Sequence, residues 1–411
     1  MELDKSKKKY NKLFKKSNLN NEVKDQFKVT QKNNFLPLPW KIWPYEGQLI
    51  FILLMVWCIL GLFILGSASW WVASKEIGEW SFYLKRQSIW ISVGLLTFSW
   101  VVNNNIRDLL KISKYIFYIL LISVGATILF GSTINGSSRW LLLGPFQIQP
   151  SELIKPFLIL ESANLFAHWN LVKSEKKFTS LSLFGLLIFL IMLQPNLSTA
   201  GLTGLLIWII ALCGGVRLKS LFSVALLGFI TGYISILSNE YQKIRVLSFI
   251  NPWNDPEGYG YQLIQSLLAI GSGGLFGQGF GLSMQKLQYL PIQSTDFIFA
   301  IFAEEFGFLG STLFLGFLSL FSYLSLRIAF RCRNNYSKLV AIGSGTLLVG
   351  QSIMHIAVAT GSMPTTGLPL PFVSYGGNSL LSSLFIGGLL VRCSIESTGL
   401  LGRLSARKSI G

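Results

Sequence analysis

The chain has 411 residues, of which 51% are hydrophobic, 14% aromatic and only 13% charged, with a formal net charge of +17 and a mean hydropathy of +0.53. A soluble domain carries roughly a quarter charged residues, and a core of this length could not hide so much apolar surface, so a large soluble protein is excluded. The basic balance would suit a nucleic-acid partner, but its placement between apolar runs excludes that as well.

Residues 1–46 are rich in Lys and Asn and read as a disordered basic arm on the cytoplasmic side, resting on anionic lipid. A cleaved signal peptide is not expected, because the first apolar run begins near residue 49 and is long enough to stay in a bilayer. Residues 47–74, 87–106, 115–138, 220–239 and 306–326 contain no charged side chain, and the uncharged runs 178–216 and 339–391 have room for two crossings each. About 20 apolar residues span the hydrocarbon as a helix, which satisfies its own backbone groups there. The pattern predicts an all-α, polytopic integral membrane protein. Ten spans are expected near 49–69, 87–103, 114–131, 151–168, 180–195, 198–214, 219–237, 297–326, 339–360 and 377–392. With the N-terminus inside, the inside segments hold 27 of the 35 Lys and Arg, as the positive-inside rule requires, and both termini are cytoplasmic. The membrane domain then covers 47–395, followed by a cytoplasmic tail over 396–411.

The inside connections, such as NLVKSEKKFTS and GGVRLKS, are short and basic and read as anchors. The outside ones are longer: 131–156, the large stretch 238–296, and 360–379 with three prolines and no charge. Loops of that length are usually functional. Cys58, Cys213, Cys332 and Cys393 all fall in spans or inside connections, so no extracytoplasmic disulfide framework is available. The stretch GSGGLFGQGFG (271–281) lacks the flanking strand and helix of a nucleotide-binding unit and reads as close backbone packing in a re-entrant segment. His168 and His355 have no second ligand at helical spacing. A metal, if one takes part, is therefore a hard divalent cation such as Mg2+ held by carboxylates and a substrate phosphate.

Two groups of charges stand where water is scarce. In QPSELIKP, Glu152 and Lys155 lie three residues apart on a helix that Ser151 can cap; they read as a structural ion pair or as a lysine aimed at an anionic substrate. In PIQSTDFIFAIFAEEFGFLG (291–310), Asp296 stands at the outside mouth of the eighth span beside Phe297 and Phe299. Burial raises a carboxylate pKa and strengthens it as a base, and the outside cations Arg139, Lys243, Arg245 and Lys286 could hold an anion beside it. Ser294, Thr295 and Asp296 are equally good helix caps, so the residues alone leave Asp296 as cap or base. Glu304 and Glu305, a turn or more deeper, read as packing or proton-holding groups.

The motifs NGSSRWLLLGPFQIQPSELIKP, QPNLSTA, NPWNDPEGYGYQLIQSLLAIGSGGLFGQGFG, YLPIQSTDFIFAIFAEEFGFLG and GSMPTTGLPLPFVSYGGNS resemble those of the SEDS family of FtsW, RodA and SpoVE. The resemblance covers about residues 47–395, and the NPWNDPEGYG run and the basic arm look most like the FtsW branch. Two positions depart from the family pattern: Ser294 stands where the family has His, and His355 where it has Asn. The resemblance implies a peptidoglycan glycosyltransferase that polymerises lipid II on the outer face of the bacterial cytoplasmic membrane, in septal wall synthesis during cell division. It implies Asp296 as the catalytic residue and places Glu152 and Lys155 in the same cavity; with Arg139 and Lys286 these make up the substrate-binding candidates. It also implies a class B penicillin-binding protein transpeptidase and other division proteins as partners, with membrane lipid around the chain and no nucleic acid.

Two other classes fit some of the same residues. A lipid II flippase would use Glu161, Glu304 and Glu305 to couple movement to protons, although the polar groups cluster near the outer face and the inside connections are plain. A scaffold would recruit the transpeptidase and tolerate loss of Asp296.

Overall fold

The computed structural model describes residues 43–134, 137–144, 146–287, 289–291 and 293–398. All but the ends of the expected arm (1–46) and tail (396–411) lies outside these residues. The order of elements is α1 (Tyr45–Glu76), α2 (Phe82–Asn103), α3 (Ile106–Phe130), β1 (Ser132–Ile134), β2 (Ser137–Leu143), β3 (Phe146–Ile148), α4 (Pro150–Leu153), α5 (Lys155–Ala167), α6 (Ser174–Leu193) and α7 (Leu197–Cys213). It continues through α8 (Leu218–Ser238), α9 (Glu240–Ile250), α10 (Tyr261–Ser272), α11 (Ile298–Arg331), α12 (Asn335–Ala359) and α13 (Gly377–Ser397). Helices stand where the apolar runs place them. Among the described residues seven of them (α1, α3, α6, α8, α11, α12 and α13) are long and apolar enough to cross a membrane, and α7 is a shorter apolar helix. A count of ten goes beyond what their length and composition establish.

The connections segregate by chemistry. One end of the bundle carries the turns with Arg107, Lys173, Lys176, Arg217 and Arg333. The other end carries β1–β3, α9, α10 and the connection between α12 and α13. The strands form an antiparallel meander in the order β1-β2-β3, with Ile134 opposite Ser137 and Leu141 opposite Ile148.

Helix α13 is buried along almost its whole length, whereas in α8 only Leu221 is. Helices in lipid associate by packing more than by the hydrophobic effect, so small residues mark their contacts. Gly387 and Gly388 serve that purpose, bringing α13 against Leu54 of α1 and Val101 of α2. Three residues further along α1, Trp57 lies edge-on to Phe317 and Phe321 and packs against Phe372 with ring centres 5.0 Å apart.

Helix α11 is broken at Gly307, whose φ of 65° and ψ of −163° interrupt the hydrogen-bond ladder. Freed backbone groups at this depth need partners inside the protein. The glycine-rich segment supplies them: Gln278 and Gly279 N–H groups donate to the Glu304 and Glu305 carbonyls at 2.9 and 3.1 Å, and Phe308 and Leu309 N–H groups donate to the Gly274 and Leu275 carbonyls at 2.9 and 3.1 Å. Gly277, at φ +84°, makes the approach possible, because a Cβ there would collide with the Glu305 carbonyl. The glycines of 271–281 thus do what close backbone packing asks of them.

Candidate active site

Asp296 lies in the turn that leads into α11. It does not cap the helix: the residue in the cap position is Phe297, and no side chain makes a cap hydrogen bond. Phe297 and Phe299 are buried on either side of the helix start, which pins the turn while Thr295 and Asp296 face a cavity of about 580 Å³. Its walls come from β2 (Arg139, Trp140), α9 (Tyr241, Arg245), the start of α10 (Gln262) and the α12–α13 connection (Gly367, Pro369, Tyr375).

Two guanidinium groups share this space with the carboxylate. Arg139 donates through Nε to the Gln194 carbonyl at 3.3 Å and through Nη2 to the Pro195 carbonyl at 2.7 Å. Arg245 donates to the Thr365 carbonyl at 3.2 Å and lies over the Tyr241 ring at 4.5 Å; the two residues are four apart on α9 and therefore stack on one face. Gly367 sits between Arg139 and Asp296, since a Cβ there would be 3.4 Å from Arg139 Nη1 and 3.8 Å from Asp296 Oδ2. Burial pushes the Asp296 carboxyl above the usual aspartate range, opposed first by Arg245, then by a hydrogen bond from Thr295 and by Arg139. Burial and the repulsion of Arg245 hold Arg139 below its usual value, opposed by Tyr241 and Asp296. One negative charge against two positive ones leaves the cavity attractive to an anion.

A second cavity of about 240 Å³ meets the first at Arg139, Tyr241, Arg245, Thr365 and Gly367. Beyond that shared rim it is largely apolar, with Leu197, Ile236, Val246, Met354 and Met363 on its walls. The arginine pair therefore stands at the boundary between a polar chamber and a greasy one.

The other sequence candidates fall elsewhere. Glu152 and Lys155 form a buried ion pair at 2.6 Å across the α4–α5 junction, as their spacing allows, but neither borders the Asp296 cavity. Lys155 gives its other bond to Gln351 Oε1 at 3.1 Å, and Gln351 in turn donates to the carbonyl of the wall residue Pro369, so the pair lies one side chain behind the wall. Ser151 does not cap; Gln149 takes the cap position and Pro150 the first turn. Lys286 is buried against Glu305 at 2.9 Å and Ser67 at 3.0 Å and does not border the cavity either. Its charge is paired with Glu305 rather than turned towards Asp296. Lys243 is exposed and 3.9 Å from Glu240. Glu304 accepts from Ser283 Oγ and from Met284 N–H at 2.9 Å, and Glu161 accepts from Ser113 Oγ. Among the described residues no group of three or more His, Cys, Asp or Glu stands where it could hold a metal ion. Sequence reasoning missed Tyr241, which the i, i+4 spacing to Arg245 could have flagged, and Gln351, which carries no local signal.

A family model described as "Cell cycle protein", covering FtsW, RodA and SpoVE, matches residues 47–399. The chain is 46% identical over 356 residues to a protein of Synechocystis sp. named "Probable peptidoglycan glycosyltransferase FtsW", covering 86% of this chain and 91% of that protein. It is 35% identical over 356 residues to "Stage V sporulation protein E" of Bacillus subtilis, covering 84% and 96%. A solved structure described as "Structural coordination of polymerization and crosslinking by a peptidoglycan synthase complex" superimposes with a TM-score of 0.71 at 29% identity, covering 87% of this chain and 99% of that one. The rod shape determining protein RodA of Thermus thermophilus superimposes at 0.64 with 26% identity, covering 86% and 97%.

Proposed function

The chain belongs to the cell cycle protein family of FtsW, RodA and SpoVE, and we infer from that membership and from the cavity that it is a peptidoglycan glycosyltransferase with Asp296 as its general base. The substrate is lipid II, a disaccharide-pentapeptide carried on undecaprenyl diphosphate, polymerised on the outer face of the cytoplasmic membrane. The ionised Asp296 takes the proton of the acceptor sugar 4-hydroxyl as that oxygen attacks the anomeric carbon of the donor. The bond from that carbon to the diphosphate breaks with its electron pair on the diphosphate, which leaves as an anion and needs no acid behind it. Direct displacement inverts the centre and turns an α-linked donor into a β-1,4 link. The proton then passes from Asp296 to water.

Arg139 and Arg245 hold the diphosphate, where negative charge develops as the bond breaks. The sugars occupy the polar chamber and the first isoprene units the apolar one. One carboxylate between two guanidiniums is a poor cage for a resident cation; a divalent ion would arrive with the diphosphate, and the steps above use side chains alone.

The observation that carries this reading is a partly buried carboxylate spared from helix capping and facing two arginines across a cavity. The test is labelled lipid II given to the purified chain with a class B penicillin-binding protein as its transpeptidase partner. Polymer that vanishes on Asp296→Asn supports the enzyme. Translocation in vesicles without polymer supports a flippase, and neither activity supports a scaffold. Septal work with division proteins follows the FtsW relatives, and complementation of cells lacking either the division or the elongation enzyme tests it.

A further inference from the structure

The connection that closes the cavity is held from behind by buried hydrogen bonds that the reaction scheme leaves unused. Its carbonyls at Leu368 and Pro369 point away from water, and buried carbonyls need partners. Two side chains of α12, four residues apart on one face, supply them. Gln351 Nε2 donates to the Pro369 carbonyl at 2.7 Å, and His355 Nδ1 donates to the Leu368 carbonyl at 2.9 Å. The same connection is tied forward to the turn that carries Asp296. Ser374 Oγ accepts from the Leu370 N–H at 2.9 Å and donates to the Thr295 carbonyl at 2.6 Å, while the Tyr375 N–H donates to the Ser294 carbonyl at 2.9 Å.

The direction of the Gln351 amide is set by charge. Lys155 Nζ donates to its Oε1 at 3.1 Å while paired with Glu152 at 2.6 Å. With the amide oxygen facing an ammonium, the NH2 must face the other way, towards Pro369. Without the ammonium, Oε1 loses this donor, and the amide is fixed at its Pro369 end alone. Gln351, Lys155 and Glu152 are all at most 4% exposed, so water cannot substitute for any of these bonds.

We propose that Gln351 is a positioning residue for Asp296, and that the Glu152–Lys155 pair acts on the reaction through it rather than on the substrate. The relay runs from the ion pair to the Gln351 amide, the 368–375 connection, the Thr295 and Ser294 carbonyls, and the carboxylate next in the chain. This rests on Asp296 being the base. A misplacement of about 1 Å at a reacting group costs about 100-fold in rate, and it falls on kcat because no substrate contact is lost.

The test is a double-mutant cycle on the full chain with its transpeptidase partner, read as lipid II polymerisation. Gln351→Leu should lower kcat about 100-fold while KM stays within about two-fold. Glu152→Gln/Lys155→Met, which removes both charges together, should do the same alone. In the Gln351→Leu background it should cost less than about three-fold more, since coupled residues are not additive. A rise in KM with kcat unchanged overturns the proposal, as does full additivity of the two changes, which would put Lys155 on the substrate. Hydrogen exchange gives an activity-independent arm: Gln351→Leu should speed exchange of the Leu370 amide and of the amides at 372–375, and leave those of α13 at wild-type rates. Unchanged exchange at 370–375 refutes the relay. Wild-type protein that makes no polymer would sink the glycosyltransferase reading alone, and the exchange result would still decide the positioning.

Discussion

Replacing Asp296 with Asn isolates the proposed base from its surroundings. The amide has the shape of the carboxylate, can still pair with Thr295, and sits where a hydrogen-bonding group is expected, so the turn into α11 should hold. Burial opposes ionisation at this position while Arg245 and Arg139 favour it, so the neutral amide sheds the cost of the first together with the gain from the second. What disappears is proton removal in the transition state. A positioned general base is worth about 10²- to 10⁴-fold, and at 1.36 kcal/mol per decade that is roughly 3–5 kcal/mol of barrier. The loss should fall on kcat. KM should stay level or drop, because a neutral Asn beside two guanidiniums leaves a stronger positive field for the diphosphate. The assay is initial-rate polymerisation of labelled lipid II across a substrate series, with insertion and detergent stability of the variant checked in parallel. A variant that folds and keeps kcat within ten-fold of wild type refutes Asp296 as base, and a raised KM with intact kcat moves it into the binding set.

Arg245→Gln should shift the acid limb of kcat/KM to higher pH. As the proposed base, Asp296 would work only when ionised, so activity should fall as pH falls through its pKa, which burial holds above the usual aspartate range; Arg245 is the largest opposing influence, and its loss raises that pKa further. A limb that stays in place or moves down contradicts the assignment. Lys286→Met leaves Glu305 charged and unpaired in the interior, which should cost about 3–5 kcal/mol. Lys286→Met/Glu305→Gln should recover most of it and polymerise with wild-type KM; a raised KM in the stable double variant would return Lys286 to the substrate. Gly277→Ala sets a side chain at φ +84° against the Glu305 carbonyl and should destabilise by at least 1–3 kcal/mol, seen as a lowered Tm in detergent. An unchanged Tm would mean that the glycine segment does not dock on the broken helix as described.

How far the sequence reaches depends on whether a signal is local. The apolar runs locate the helices because hydropathy is a property of contiguous residues, and the pairing of Glu152 with Lys155 follows from a three-residue spacing. The break in α11 is only half legible. GSGGLFGQGFG announces tight packing, but its partner carbonyls at Glu304 and Glu305 lie about 25 residues further along the chain, and nothing local pairs the two segments. Lys286 fails for the same reason: its charge looks free in a loop until Glu305 and Ser67 arrive from two other elements. Asp296 is the opposite case. The residues allow cap or base equally, and only the backbone at Phe297 removes the cap.

That removal also sets Asp296 apart from the other acids of 291–310, a difference on which its proposed role as base depends. Glu304 is spent on the Ser283 hydroxyl and the Met284 N–H, and Glu305 on Lys286 and Ser67. A carboxylate committed to fixed donors cannot swing towards a sugar hydroxyl. Both therefore tie the 283–286 stretch, and Glu305 also Ser67 of α1, to the half of α11 that precedes the break. Asp296 sits at the start of that same half-helix, where the protein gives it a Thr295 hydrogen bond and two arginines held by backbone carbonyls of their own. The guanidiniums are near enough to favour its charge, yet they are anchored to the Gln194, Pro195 and Thr365 carbonyls and cannot collapse onto it. A base kept ionisable and uncapped requires that restraint, and in the proposed reaction the carbonyl anchoring of Arg139 and Arg245, as much as the acid itself, would let the cavity take a proton from an alcohol.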